Sequence, residues 1–143
     1  RDVANVVIRD NLIDEAGLPT ASRDGGAEGI NVTGGSHDVL IEGNTLRRVG
    51  GYGLEFYGTS RVGGEPTEHV VVRRNVLHDV NTADVLFAST RFSNVFVYNN
   101  TFVSGPNPFP AALRHAAARL SPNFAFSGVF SATYVACGSV DSP

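Results

Sequence analysis

The stretch SHDVLIEGNTLRRVGGYGLEFYG, residues 36–58, decides how the chain is read. Two short apolar runs lie on either side of Asn44, and Gly43 and Gly58 close them. Within the runs, Val39 and Ile41 fall on one face, as do Leu54 and Phe56. A period of two places such residues on one side of a strand. Residues 68–89, EHVVVRRNVLHDVNTADVLFAS, then write nearly the same pattern.

The pattern extends in both directions. NVVIRDN from Asn5, DVLIEGN from Asp38, HVVVRRN from His69 and NVFVYNN from Asn94 align, and each ends on an asparagine: Asn11, Asn44, Asn75 and Asn100. Further strands follow as GINVTGG from Gly29, GLEFYGT from Gly53 and DVLFAST from Asp84. The unit contains two or three short strands and no amphipathic helix. A self-similar unit of this size predicts a solenoid. Glycine and asparagine at the corners suit sharp backbone angles. Asparagines stacked at one corner can hydrogen-bond above and below, satisfying buried polar backbone.

These residues resemble the right-handed parallel β-helix of the pectate-lyase-like superfamily. The asparagine column looks like the ladder at the corner between that family's second and third sheets. The resemblance covers Val3 to about Gly105, so the expected fold is all-β, a right-handed parallel β-helix of about four coils over residues 1–105. VVIRD, VLIEG, VVVRR and VFVYN become the second sheet. NLI, TLRRV, VLHDV and TFV become the third. GINVT, GLEFY and DVLFA become the first. Residues 106–143 are expected to form a tail or cap, with a short helix over 111–120, where AALRHAAARL is rich in helix formers. The chain opens inside a strand pattern, with no signal peptide visible. That opening is read as a truncated end. The chain is then a fragment of a longer β-helix, or another element covers the end, because an open end exposes core and strand edges and invites self-association.

Composition narrows the function classes. The 143 residues carry a net charge of −3 and no basic stripe, which disfavours nucleic acid. No apolar run reaches membrane-spanning length. Every basic residue is arginine, so no lysine can act as a base. Cys137 stands alone, which excludes an internal disulfide framework.

The candidate site follows from the loops. Insertions at residues 14–28 and 59–68 border the first sheet on both sides, and walls on both sides would make a groove. In the family resembled, that sheet is where extended polysaccharides bind. Alternation turns Ile30, Val32, Leu54, Phe56, Val85 and Phe87 inward. It turns Asn31, Glu55 and Leu86 outward as one column, Thr33, Tyr57 and Ala88 as the next, and Gly29, Gly53 and Asp84 as the third. Glu55, Asp84 and Tyr57 are therefore the catalytic candidates. Asn31, Arg61, Arg91, His37 and His69 are the substrate-binding candidates, with the two histidines expected at the turn after this sheet.

Glu55 and Asp84 sit one coil apart and two residues offset, about 8 Å between Cα atoms. Paired carboxylates at such a distance suit glycoside hydrolysis. A lyase or epimerase would instead need a base and a cation beside a uronate. YGLEFY from Tyr52 resembles the Tyr-Gly-x-Asp-Pro-His motif of mannuronan epimerases, but Phe56 and Tyr57 stand where that motif has Pro and His. The expectation is a secreted or cell-surface protein that acts on or binds an extended, acidic polysaccharide. The alternative is a non-catalytic glycan-binding or structural module. No cofactor is required, although Asp14, Glu15, Asp24 and Glu28 could offer hard oxygen ligands to Ca2+.

Overall fold

The computed structural model describes residues 3–17, 27–57, 67–88 and 92–103, and the backbone of strands 111–115 and 125–130. The strands are β1 (Ala4–Arg9), β2 (Leu12–Asp14), β3 (Ile30–Thr33), β4 (His37–Glu42), β5 (Thr45–Arg47), β6 (Tyr52–Tyr57), β7 (Thr67–Arg73), β8 (Val76–His78), β9 (Ala83–Ala88), β10 (Phe92–Val103), β11 (Ala111–His115) and β12 (Ala125–Phe130).

Every pairing between these strands is parallel and joins one coil to the next. The first sheet is β3-β6-β9-β11 in spatial order. The second is β1-β4-β7-β10, and β2-β5-β8 form the third alongside the far half of β10. Because β10 runs through the corner unbroken, the second and third sheets share one hydrogen-bonded path. This is the all-β parallel coil that the repeat predicts.

The core is built from columns. Val39 lies over Val70 and Val95, Ile41 over Val72 and Val97, and Leu46 over Leu77 and Phe102. On the first sheet, Ile30 lies over Leu54 and Val85, and Val32 over Phe56 and Phe87. All of these side chains are buried. Phe56 and Phe87 stack with centroids 4.8 Å apart, and Phe92 meets Phe87 edge-on at 5.4 Å. Like residues stacked in register pack the narrow interior, and offset aromatic pairs add to the burial.

The corner asparagines form the ladder. Asn11 Nδ2 donates to Asn44 Oδ1 at 2.9 Å, Asn44 Nδ2 to Asn75 Oδ1 at 3.0 Å, and Asn75 Nδ2 to Asn100 Oδ1 at 2.9 Å. The backbone N–H of each donor residue bonds the same oxygen. Asn44, Asn75 and Asn100 are almost fully buried, so these bonds satisfy polar groups that water cannot reach.

The corners bend through left-handed residues, few of which are glycine. Asn5, Asp38, His69 and Asn94 share one column at φ between 52° and 57°. Asp10, Gly43, Arg74 and Asn99 share a second, and Glu15, Arg48 and Asp79 a third. Asparagine and aspartate tolerate this region best among residues with a Cβ. Arginine and histidine there are held by the stacked coils on either side.

One expectation fails. Ala111–His115 is a strand paired parallel to β9, not the start of a helix. Ten residues of good helix propensity make a marginal helix alone, and the edge of β9 offers a full ladder of backbone bonds instead. Residues 116–120 lie outside the described part.

Candidate functional site

The two insertions leave the coil on opposite sides of the first sheet. One lies between β2 and β3, and the other between β6 and β7. Their tips, residues 18–26 and 58–66, lie outside the described part. The first closes tightly at its base. Gly17 has φ +67°, and a Cβ there would come within 2.0 Å of the Ala27 Cβ. The Ala16 carbonyl accepts from Gly50 N–H and the Ala27 carbonyl from Gly51 N–H, which pins both ends to the next coil.

Between these loops, the strand register sets Asn31 beside Glu55 and Thr33 beside Tyr57. Asn31 Nδ2 donates to Glu55 Oε2 at 2.5 Å. Burial raises the pKa of the Glu55 carboxyl, and the negative charge of Glu28 raises it further. Tyr57 is 47 % exposed, one of the few large hydrophobic side chains left open to solvent among the described residues. Its ring and the Asn31–Glu55 pair project from adjacent outward columns of one sheet. Glu28, on the approach to β3 and weighed in the sequence only as an oxygen ligand for Ca2+, lies near enough to act on the Glu55 carboxyl.

Asp84 departs from the expected groove. It is 4 % exposed and therefore buried. Register places it over Gly53 and Gly29. A Cβ at Gly53 would meet Leu77 Cδ2 at 2.5 Å, and one at Gly29 would meet Leu46 Cδ2 at 2.6 Å. This column therefore turns toward the core at the strand entry, where simple alternation had turned it outward. Burial pushes the Asp84 pKa up to about 8. Leu86, expected outward beside Glu55, is also buried.

The histidines sit at the left-handed corner where the second sheet begins. His37 opens β4 and His69 lies inside β7, both strands of the second sheet. The two flank one carboxylate: His37 Nδ1 lies 2.9 Å from Asp38 Oδ2, and His69 Nδ1 lies 3.6 Å from Asp38 Oδ1. Arg61 and Arg91 lie outside the described residues.

Among the described residues, the acidic groups weighed for Ca2+ do not gather. The Asp14 carboxylate pairs with Arg47 and Arg48, and hydrogen bonding to Arg47 holds its pKa below the usual value. Asp24 lies outside the described part. Among the described residues, no group of three or more His, Cys, Asp or Glu is placed to hold a metal ion. Nor is any described helix long and apolar enough to cross a membrane.

The fold and the ladder define a parallel β-solenoid. Its family follows from sequence comparison: residues 1–125 match the right-handed β-helix region family, and the chain belongs to it. Comparison with curated proteins and with solved structures gave no match.

Proposed function

We propose that the first-sheet face between the two insertions binds an extended polysaccharide, and that this chain works as a glycan-binding β-helix module. The observation that carries this reading is the separation of the ionisable candidates. Acid–base catalysis needs its groups to converge on one substrate atom. Here Asp84 is buried, and the histidines lie on another sheet. What remains beside Glu55 suits binding. An exposed tyrosine ring offers a platform for a sugar face, and the Asn31–Glu55 pair offers a donor and acceptors to hydroxyls. Parallel stacking repeats these positions coil by coil, which fits a repeating ligand.

Among the described residues, the face carries Glu28 and Glu55 and no cation. Its own chemistry therefore favours a neutral glycan. An acidic one would draw on Arg61 and Arg91. Location at the cell surface or outside the cell accompanies this proposal, because polysaccharide of this kind is met there. So does kinship with the pectate-lyase-like branch, in which the same sheet is the binding face.

The test is a binding screen of neutral and acidic polysaccharides, with parallel assays for new reducing ends and for ultraviolet absorbance from new double bonds. Binding without either product is the expected result. Product formation that disappears in Glu55→Gln would overturn the non-catalytic reading and restore Glu55 as a catalytic group.

A further inference from the structure

We propose that the outer face of the second sheet docks a second copy of this chain, face to face, about a two-fold axis that runs along the solenoid. The first observation is an apolar column. Val7 lies beside Leu40, Leu40 beside Val71, and Val71 beside Phe96 in strand register. Their neighbours along each strand, such as Val39 and Ile41 or Val95 and Val97, turn into the core, so this column points outward. Phe96 is 40 % exposed, and Leu40 and Val71 are partly exposed. Strands β4, β7 and β10 are paired on both sides, so these three side chains open through the face of the sheet and not through a strand edge.

The second observation is the charge on either side of the column. Where the strands enter the sheet, the charged side chains are Asp38 and Glu68, with His37 and His69 beside Asp38. Where the strands leave it, Arg9, Arg73 and Arg74 outnumber Asp10 and Glu42. Arg73 and Arg74 share the single Glu42 carboxylate, and the side chains of Arg9 and Arg74 are 67 % and 69 % exposed. The face is thus acidic along one rim, apolar in the middle and basic along the other.

This layout selects the occupant. A two-fold interface sets one surface against itself. An axis along the apolar column exchanges the rims, so the acidic rim of each copy lies over the basic rim of the other. Coil then matches coil. Leu40, Val71 and Phe96 each meet the same residue across the axis, and Glu68 of one copy faces Arg73 and Arg74 of the other. An axis along the strands would set each rim against its like, which opposes association. By strand and coil spacing the face offers on the order of a few hundred Å² per copy. That is less than the roughly 800 Å² per partner of a standard interface. The dimer is therefore weak and forms at high protein concentration.

The test is sedimentation equilibrium of the whole chain over a wide concentration range, with reductant, at low and high salt. The expected result is a mass that rises toward a dimer with concentration, and rises less at high salt, because exposed rim charges are screened. Val71→Glu and Phe96→Asp place a charge in the middle of the face and should leave a monomer, with circular dichroism unchanged because both side chains point away from the core. Glu68→Arg and Arg74→Glu should each give a dimer several-fold weaker than the parent, and the double variant should recover most of the loss. A parent that stays monomeric at every concentration overturns the proposal. So does a dimer that survives both Val71→Glu and Phe96→Asp, because another surface would then hold it. A double charge variant no better than the single ones overturns the two-fold arrangement and the proposal with it.

Discussion

The Asn75 side-chain oxygen accepts two bonds from Asn44, one from its backbone nitrogen at 2.9 Å and one from Nδ2 at 3.0 Å. Asn75 Nδ2 in turn donates to the Ile41 and Arg73 carbonyls and to Asn100 Oδ1. One buried side chain thus serves three coils. Asn75→Ala leaves several buried groups without partners, at ~1–3 kcal/mol each where water cannot replace them. Asn11→Ala, at the solvent-facing end, is expected to cost clearly less. Urea midpoints of the two variants check this order, and equal losses would argue against a buried ladder.

Stability should depend on pH with two opposing arms. The pKa of Asp84 is raised by burial from its ordinary value of 3.8 to about 8. In the folded state the carboxyl stays protonated through that interval, whereas in the unfolded chain it ionises. Its contribution is intact below about pH 4 and is lost as pH rises toward 8. Asp14 and Glu42 act in the opposite sense. Hydrogen bonding to Arg47 and to Arg73 lowers their pKa values. Their contribution is present above the unfolded pKa and disappears as pH falls through the lowered one. Asp84→Asn should therefore flatten the loss of stability on the alkaline side and leave the acid arm in place. Thermal melts of parent and variant at pH 5 and pH 8 test this; an unchanged alkaline slope would mean that Asp84 ionises freely in the fold.

Two glycines should behave differently on replacement by alanine. A Cβ at Gly53 would fall 2.6 Å from the Asp84 carbonyl oxygen and 2.5 Å from Leu77 Cδ2. Backbone of the adjacent strand cannot move away without breaking the ladder. At Gly43 the obstacle is the Asp10 side chain at 2.6 Å, which can swing aside, and the remaining cost is φ +68°. A left-handed residue with a Cβ costs roughly 1–2 kcal/mol. Gly53→Ala is expected to destabilise more than Gly43→Ala in chemical denaturation. Gly43→Asn should recover part of the Gly43→Ala loss, because asparagine tolerates this region.

The coil was legible because its signals are strictly periodic. Val39, Val70 and Val95 repeat at fixed distances from Asn44, Asn75 and Asn100, and both sets need the same stacking to be buried. The inward set of the first sheet followed from alternation, and Ile30, Leu54, Phe56, Val85 and Phe87 all lie in the core. Alternation failed at Asp84, where the column turns inward as the strand begins. His37 and His69 lie beside and in the left-handed column of Asp38 and His69, where the second sheet begins. The segment at Ala111 misled for a different reason: local propensity favours helix, but an open parallel edge at β9 decides the outcome. Arginines that carry no signal in the sequence pair along the columns, Arg73 and Arg74 with Glu42, and Arg47 and Arg48 with Asp14. Cross-coil register, invisible in a single repeat, makes those pairs.

Glycan binding should be governed by Tyr57 and only tuned by Glu55. Among the described residues of the proposed face, Tyr57 is the large hydrophobic side chain left exposed, and stacking on a sugar would be lost entirely in Tyr57→Ala. At about 1.4 kcal/mol per factor of ten, loss of one such contact weakens binding on the order of tenfold. Arg73→Ala, on the second sheet beside Glu42 and Tyr98, removes an ion pair of another face and should leave binding unchanged. Glu55→Gln keeps one acceptor oxygen toward Asn31 and removes the charge. Because burial and then Glu28 raise the Glu55 pKa, the carboxyl takes up its proton at a higher pH than an ordinary glutamate. Binding of a neutral glycan by the parent should therefore change as pH falls through that raised value, and Glu55→Gln should remove the change. Isothermal titration with the best polysaccharide of the screen, at several pH values, reads all three variants. Equal weakening by Tyr57→Ala and Arg73→Ala would move the binding face away from the first sheet.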